Sequence, residues 1–155
     1  LIFENYNSVA MKTAEDAIVV EQVFDTSIEK VWKAITLHQE MILWFFENIA
    51  EFKPEVGFKT TFPVQSEERI FTHLWKIMEV IPYQKITYNW NYEEYQGDSF
   101  VTFELFDEQD KTRLRLTTEV VKDFPDEIPE FSRESCIRGW NYFIGKNLKE
   151  YLIQR

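Results

Sequence analysis

The sequence predicts an α+β fold in which a curved antiparallel β-sheet wraps around one long C-terminal helix. The first observation is the stretch 131–152, where apolar residues recur every three or four positions, as on one face of a helix. The second is a series of segments between residues 58 and 121 in which apolar and polar side chains alternate, as in half-buried strands. The third is their order, because one strand and two short helices precede those segments.

The first strand is predicted at Ile18–Phe24, where β-branched residues are frequent. The stretch 26–29 (TSIE) has the pattern of a capping box, in which the Thr26 hydroxyl accepts a hydrogen bond from a backbone amide of the first turn. We therefore expect a short helix that begins there and ends near Thr36. A second short helix is predicted at His38–Phe45.

Five strands joined by short turns are expected next, at Phe58–Phe62, Arg69–Ile81, Lys85–Tyr92, Ser99–Phe106 and Thr112–Val121. Consecutive strands with short connections form an antiparallel meander. Because their side chains alternate, one face of the sheet must be covered. The C-terminal helix is the only predicted element that is long enough to cover it.

The C-terminal helix follows a connector at 122–130, and Pro129 fits the first turn of the helix. Gly139 and Gly145 lie inside it, where each costs roughly 1 kcal/mol relative to alanine. A glycine lets another group approach the backbone, either an aromatic side chain of the sheet or a ligand. We favour close packing against a Trp or Phe of the sheet.

The length favours one domain. At 155 residues the chain can bury a substantial core, and no repeat, low-complexity tract or second domain is visible. Residues 1–16 show no clear period. We therefore predict an N-terminal extension over 1–16 and a single domain over 17–155.

The composition points to a cavity. Aromatic residues make up 17% of the chain, with 14 Phe, 7 Tyr and 5 Trp. Large rings leave irregular gaps when they pack, so an internal cavity is expected. A Phe-rich core without a cavity is the alternative.

The charge restricts the classes of partner. The formal net charge is −10 at pH 7, and no cluster of Lys and Arg forms a basic stripe. Phosphate backbones and anionic lipids both attract such clusters, so we expect neither nucleic acid nor a membrane surface as partner. A basic protein partner stays open, and so does a homodimer.

The chain is predicted to be cytoplasmic. Its single cysteine, Cys136, allows no internal disulfide and fits a reducing compartment. No apolar run approaches the roughly 20 residues of a membrane span. The first residues lack the charged start and the apolar block of a signal peptide.

Several short motifs recur here in a known order. They are Thr26–Ile35 with its Val-Trp pair, Trp44, Gly57-Phe58, Val80-Ile81-Pro82, Ile86, Tyr88-Asn89-Trp90, Thr112-Arg113-Leu114, Gly139-Trp140, Leu148 and Tyr151. On these motifs, over residues 18–153, the chain resembles the SRPBCC, or START-like, superfamily. Within it, the chain is most similar to the branch named after the activator of heat-shock protein 90 ATPase homologues. It departs from that branch at Val56-Gly57, where paired glycines are frequent.

The resemblance implies the helix-grip fold, also known as the Bet v-like fold. It implies a cavity between the sheet and the final helix, often used for an apolar small molecule. It implies no catalytic residue common to all members. The branch name does not by itself carry chaperone activity to this chain.

The spacing predicts which side chains face each other across the sheet and the final helix. If a cavity lies between them, its lining is predicted to be Tyr88, Trp90, Val101, Phe103, Leu105, Leu114, Leu116, Trp140, Phe143 and Ile144. Tyrosine and tryptophan there combine an apolar body with one hydrogen-bonding group. As ordinary core residues they require no ligand.

Titratable side chains give little sign of catalysis. His73 lies in mid-strand beside Phe71 and Trp75, which provide neither a nucleophile nor a carboxylate. His38 is expected to be exposed near a helix start, and two isolated histidines with one cysteine do not make a metal site. Cys136 is expected to be a small buried apolar residue. We therefore predict no catalytic residue, no metal and no cofactor.

Three function classes follow from these observations. The leading hypothesis is non-enzymatic binding of a small apolar or aromatic ligand, with the loops 93–98 and 122–130 as the mouth of the cavity. The alternative is a protein-interaction domain of the chaperone ATPase activator type, with an exposed apolar patch on the outer sheet or the first helices. A cyclase- or hydratase-like enzyme is the least favoured, because the predicted lining is apolar and aromatic.

Overall fold

The structure is a computed structural model, and it describes residues 9–154. Six strands and the helices follow in chain order as β1 (Ile18–Phe24), α1 (Ile28–Thr36), α2 (His38–Trp44), β2 (Lys59–Ser66), β3 (Arg69–Ile81), β4 (Lys85–Tyr92), β5 (Tyr95–Glu108), β6 (Lys111–Lys122), a 3₁₀ turn (Pro129–Phe131), α3 (Arg133–Trp140), a π-helical segment (Asn141–Asn147) and α4 (Leu148–Ile153). The predicted α+β helix-grip fold is confirmed.

The strands form one antiparallel sheet in the order β1-β6-β5-β4-β3-β2. Four consecutive hairpins build the meander from β2 to β6. The last strand, β6, then pairs with the first strand, β1, with Ile18 opposite Thr118. Alternate residues of each strand are buried against the helices, as in the Tyr88 and Trp90 positions of β4. The covered face that the alternation predicts is therefore present.

The first helix starts one residue later than the capping box suggests. Ser27 is the N-cap, and its side chain accepts a hydrogen bond from Lys30 N at 3.4 Å. The carbonyl of Thr26 instead accepts a hydrogen bond from Thr112 Oγ1 at 2.9 Å. Because this bond ties Thr26 to the start of β6, Ser27 becomes the last extended residue before the helix.

The connection between β4 and β5 is much shorter than predicted. Tyr92 pairs with Tyr95, so only Glu93 and Glu94 form the turn. Residues 95–98 therefore belong to a strand, and the prediction of a mouth loop over 93–98 is wrong. Gly97 in this strand has a φ of +118°, and a Cβ atom there would overlap the ring of Phe124.

The C-terminal helix is continuous but changes its hydrogen-bonding pattern. Ser132 caps it by accepting from Ser135 N at 3.1 Å, so the helix begins at Arg133 and Pro129 belongs to the separate 3₁₀ turn. In the π-helical segment Leu148 N bonds Phe143 O, five residues back. Such a segment inserts one extra residue into a helix and often lies at a functional site.

Part of the predicted N-terminal extension packs against the domain. Ala10 and Met11 are buried, and the backbone of Met11 bonds Phe131 O at 2.9 Å and Phe124 N at 3.1 Å. Residues 1–8 of the predicted extension lie outside the described residues, and the boundary at residue 17 stays a prediction. Across residues 9–154, no helix is both long enough and apolar enough to cross a membrane.

Candidate functional site

A cavity of about 350 Å³ lies between the sheet and the first half of the C-terminal helix, and it is partly open to solvent. Its walls come from the sheet, from the helix, from the connector before the helix and from Phe46 after α2. The lining residues are Met11, Phe46, Val64, Ser66, Phe71, His73, Trp90, Tyr92, Ser99, Val101, Thr118, Phe124, Glu130, Phe131, Ser135, Cys136, Gly139, Trp140 and Phe143.

The register of the strands puts the cavity at one end of the sheet. The first residues of β3 and β5 meet the last residues of β4 there, with His73 opposite Tyr92 and Trp90 opposite Ser99. The pairing shifts between Trp90 and Tyr92 and between Asp98 and Ser99. Bulges of this kind bend a strand and redirect its side chains, and they are frequent beside binding sites.

The predicted lining residues divide into two groups. Trp90, Val101, Trp140 and Phe143 line the cavity. The others lie deeper in the core and away from it, all with relative exposures of 4% or less, and they are Tyr88, Phe103, Leu105, Leu114, Leu116 and Ile144. The alternation of a strand predicts which face of the sheet a residue lies on. It does not predict at which end of the strand the helix and the sheet separate to form the cavity.

Gly139 forms part of the helical wall. Apart from the helix's own backbone and the two neighbouring residues, no atom of residues 9–154 lies within 4 Å of the position that a Cβ would take there, so a side chain at this residue would project into open space. Gly145 has Gln22 Oε1 at 3.7 Å from that position. The prediction that a sheet aromatic packs closely against these glycines is therefore wrong, and at Gly139 the free space is the cavity.

Aromatic rings that the sequence analysis did not select complete the wall. Phe46 lies 4.9 Å from the His73 ring and 4.8 Å from the Phe143 ring, measured between centroids. Phe131 packs at 5.2 Å from Tyr92 and 4.9 Å from Phe124. The alternation of β4 puts Tyr92 on the same face as Trp90, and Phe124 lies in the segment 122–130 that was predicted as a mouth. Phe46 follows the predicted second helix, where no alternation or helical spacing marks it as inward-facing.

His73 is a buried member of this wall, with 5% relative exposure. Its Nδ1 atom lies 3.0 Å from Phe71 O. Since a carbonyl only accepts, Nδ1 carries the proton and Nε2 carries the lone pair. Burial lowers the pKa of His73 to about 4, although the Phe71 carbonyl and the Glu94 carboxylate act in the opposite direction. The imidazole is therefore neutral at pH 7.

Tyr92 lies next to His73 and bonds to the neighbouring tryptophan. The Tyr92 hydroxyl accepts a hydrogen bond from Trp90 Nε1 at 2.9 Å, and the rings of Tyr92 and His73 lie 4.8 Å apart at an interplanar angle of 79°. Burial raises the pKa of Tyr92, which the bond from Trp90 opposes. The phenol therefore keeps its proton at any ordinary pH.

Glu130 places a carboxylate on the wall, and residues of two neighbouring strands bind it. Glu130 accepts a hydrogen bond from the Ser66 hydroxyl at 2.9 Å and forms an ion pair with Arg69 Nη1 at 3.3 Å. These contacts join the connector to the hairpin of β2 and β3. The expectation of a mouth at 122–130 thus falls on a segment whose residues Phe124 and Glu130 line the cavity.

Cys136 and Thr118 meet where the helix crosses the sheet. Burial raises the pKa of the Cys136 thiol to about 11, so it stays protonated and is a poor nucleophile. The Thr118 hydroxyl is fully buried beside the Cys136 thiol, which it helps to lower in pKa against the effect of burial. Both residues serve as small wall groups.

No metal site forms around the histidines. His38 begins α2 and is half-buried rather than exposed, because its Nε2 atom lies 2.6 Å from Ile49 O. In the part of the chain that the structure describes, no group of three or more His, Cys, Asp or Glu side chains is arranged to hold a metal ion.

Solved structures of bacterial proteins share this architecture. MLL2253 from Mesorhizobium loti is 24% identical, with 90% of this chain and 98% of that chain covered and a TM-score of 0.73. Mll3558 from Rhizobium loti is 17% identical, with coverages of 88% and 96% and a TM-score of 0.75. CV1439 from Chromobacterium violaceum is 20% identical, with coverages of 86% and 94% and a TM-score of 0.72. At these identities the similarity concerns the fold.

The family is clear from the sequence itself. A family model described as activator of Hsp90 ATPase homolog 1-like protein matches residues 25–153. No curated protein matches the chain. The match begins just after β1 and covers both short helices, strands β2 to β6 and the C-terminal helix. The chain therefore belongs to the activator of Hsp90 ATPase homolog 1-like family, a branch of the SRPBCC superfamily.

Proposed function

We propose that the protein binds a small apolar or aromatic molecule, without chemical conversion, in the cavity beneath the first half of the C-terminal helix. The observation that carries this proposal is the cavity itself, about 350 Å³ in volume and walled largely by aromatic rings. Small-molecule sites have volumes of this order, apolar walls and a few polar groups that fix orientation. Trp90, Val101, Trp140 and Phe143 are the predicted ligand contacts that lie on this wall.

Apolar burial supplies the binding energy in this proposal. A ligand that loses about 200 Å² of apolar surface gains roughly 5 kcal/mol from the hydrophobic effect, before the cost of association. Glu130 and the net charge of −10 both disfavour an anionic ligand. Glu130 is also paired with Arg69 and so offers no free charge to a cation, and we therefore infer a neutral molecule. We keep the expectations of no nucleic acid, no membrane surface and a cytoplasmic location.

The titratable groups on the wall fit binding better than catalysis. His73 and Glu130 were not among the predicted lining residues, and a carboxylate or histidine in the cavity is what an enzyme of this fold would need. However, a pKa of about 4 makes His73 a weak base at pH 7, and a pKa of about 11 keeps the Cys136 thiol protonated. Glu130 is already paired with Arg69. These properties support a non-enzymatic role.

A protein-interaction domain is the second candidate, and the family description favours it. It would use exposed apolar side chains, of which Leu43 on α2, Val19 on β1 and Ile153 on α4 are 60%, 53% and 75% exposed. These residues lie on different elements and do not explain the cavity. An unchanged ATPase rate of a purified chaperone after addition of the protein would remove this candidate.

The variant Gly139→Leu tests the binding proposal. Its side chain would enter the cavity, while leucine favours a helix over glycine by nearly 1 kcal/mol, so the fold is expected to survive. We expect the neutral fluorophore N-phenyl-1-naphthylamine to bind the wild type with increased emission and with quenching of the tryptophans on the wall. Overpacking in Gly139→Leu should weaken this binding at least about tenfold.

Gly145→Ala is the matched control, because it makes the same helix more favourable at a residue that does not line the cavity. It should bind the probe like the wild type, and thermal melts should show that both variants are folded. Absence of probe binding to the wild type, or equal binding to a folded Gly139→Leu variant, would refute the proposal.

A further inference from the structure

A hydrogen-bond acceptor and a hydrogen-bond donor stand side by side on the cavity wall. His73 and Tyr92 are direct partners across β3 and β4, and both line the cavity. Their rings lie 4.8 Å apart in an edge-to-face arrangement. Two polar groups placed together within aromatic walls are the kind of feature that orients a ligand.

The acceptor is His73 Nε2. Because Nδ1 donates its proton to Phe71 O, Nε2 has a lone pair and no proton. Within residues 9–154, this nitrogen has no hydrogen-bond partner. Nε2 is the ring nitrogen farther from the backbone. The His73 side chain is buried and lies on the face of the sheet that borders the cavity.

The donor is the Tyr92 hydroxyl. Its oxygen accepts from Trp90 Nε1 at 2.9 Å, so the indole holds the oxygen in place. The hydroxyl proton has no acceptor among the residues that the structure describes, because no bond from this oxygen to another group is present. Tyr92 can therefore donate one hydrogen bond while His73 accepts one.

Two hydroxyl groups of the wall are already engaged, whereas the Ser135 hydroxyl and the Trp140 indole N–H lie on the helical side of the cavity. The Ser66 hydroxyl donates to Glu130 at 2.9 Å, and the Ser99 hydroxyl donates to Trp90 O at 2.7 Å. The Thr118 hydroxyl is fully buried within the protein. His73 and Tyr92 are the acceptor and donor that lie next to each other on the sheet side of the wall.

We propose that the ligand is a neutral ring-bearing molecule with a hydroxyl group, which donates to His73 Nε2 and accepts from the Tyr92 hydroxyl. This inference rests on the proposed binding function and narrows its ligand class to phenols and ring-bearing alcohols. A hydroxyl is both donor and acceptor, so one group satisfies both side chains. An ether or ketone cannot donate to His73, and an ammonium group cannot accept from Tyr92. A carboxylate cannot donate either, and Glu130 would repel it.

The experiment compares 2-naphthol with 2-methoxynaphthalene, whose ring is the same but whose oxygen has no proton. Dissociation constants for both come from displacement of N-phenyl-1-naphthylamine. We expect the wild type to prefer 2-naphthol by roughly threefold to tenfold, the value of one neutral hydrogen bond. In His73→Phe, which keeps the ring beside Phe62 and Tyr92, this preference should fall to about one.

Tyr92→Phe gives a second and different signature. Both probes can accept a hydrogen bond from Tyr92, so this variant should weaken both by a similar factor and keep their ratio. Naphthalene, which has no oxygen, should bind the wild type and this variant alike. Retained binding of N-phenyl-1-naphthylamine shows for each variant that the fold and the cavity are intact.

The outcomes separate this inference from the proposed function. Equal affinities of the two probes for the wild type would overturn it, and so would a preference that survives in His73→Phe. Failure of 2-naphthol to bind while N-phenyl-1-naphthylamine still binds would also overturn it and would leave the proposed function standing. If N-phenyl-1-naphthylamine does not bind the wild type, both fail together.

Discussion

Two tyrosines of β4 differ in what their hydroxyl groups contact, and this difference predicts opposite effects on stability. Tyr88 is fully buried, and its hydroxyl has no hydrogen-bond partner among the described residues. A buried hydroxyl without a partner is costly, so we expect Tyr88→Phe to raise the free energy of unfolding by about 1 kcal/mol. Urea denaturation followed by circular dichroism measures this change.

Tyr92→Phe is the control for that variant, because it removes the acceptor of the Trp90 indole N–H. An indole N–H without its partner should lower the free energy of unfolding by about 1–2 kcal/mol. A loss of stability in Tyr88→Phe would contradict the prediction, since it would mean that the hydroxyl makes a favourable bond.

The burial of His73 predicts how stability depends on pH. The pKa falls from 6.5 to about 4 on folding, so between these values the unfolded chain binds a proton that the folded protein does not. The stability from this group is therefore complete above pH 6.5 and is lost as the pH falls towards 4. Between pH 7 and pH 5, the free energy of unfolding should decrease by about 2 kcal/mol from this group alone.

The variant His73→Phe isolates this effect from the titration of the carboxylates. Urea denaturation of both proteins at pH 7 and pH 5 should show a larger decrease in the wild type. Equal decreases would mean that His73 is not buried in its neutral form. The same measurement tests the tautomer argument of the binding site indirectly, because a neutral imidazole is required for Nε2 to accept a hydrogen bond.

At the scale of the elements, the sequence was informative about faces and much less informative about depth. The alternation in β4 and β5 identified Trp90 and Val101 as inward-facing, and both line the cavity. The same alternation selected Tyr88 and Phe103, which are deeper core residues. Depth depends on where the helix begins, on the bulges beside Trp90 and Ser99 and on the two-residue turn after Tyr92, and none of these has a periodic signal.

The start of α1 is a second feature that the sequence pattern predicts only approximately. Ser27, not Thr26, caps α1, because Thr26 O is bonded to Thr112 Oγ1. We expect Ser27→Ala to lower the free energy of unfolding by about 1 kcal/mol, since it removes the cap of the first turn. Thr26→Ala should change it by less than about 0.5 kcal/mol. Thermal denaturation of the two single variants decides between Thr26, the cap that the sequence predicts, and Ser27, the cap that the structure shows. A larger loss of stability in Thr26→Ala than in Ser27→Ala would mean that Thr26 is the cap.

At the scale of the molecule, the order of elements identified the fold, but it did not reveal how the domain is closed. A sheet with a helix across it is predicted by two periods, 2 for strands and 3.6 for helices. The contact of Ala10 and Met11 with the connector has no period, because it consists of an isolated pair of bridging residues. Nevertheless, Met11 joins the start of the described chain to the segment before the C-terminal helix, and it also lines the cavity.

This closure predicts that Met11 stabilises the whole domain. Its side chain is buried at 7% exposure, and its backbone bonds both Phe124 and Phe131. Met11→Ala should therefore lower the free energy of unfolding by about 2–3 kcal/mol and enlarge the cavity, since the removed atoms form part of its wall. Val9→Ala is the matched control, because Val9 is 53% exposed and its change should be within about 0.5 kcal/mol. Urea denaturation gives both values, and binding of N-phenyl-1-naphthylamine reports on the cavity. Equal stabilities of the two variants would show that the chain before residue 17 is a separate extension, as the sequence alone predicts.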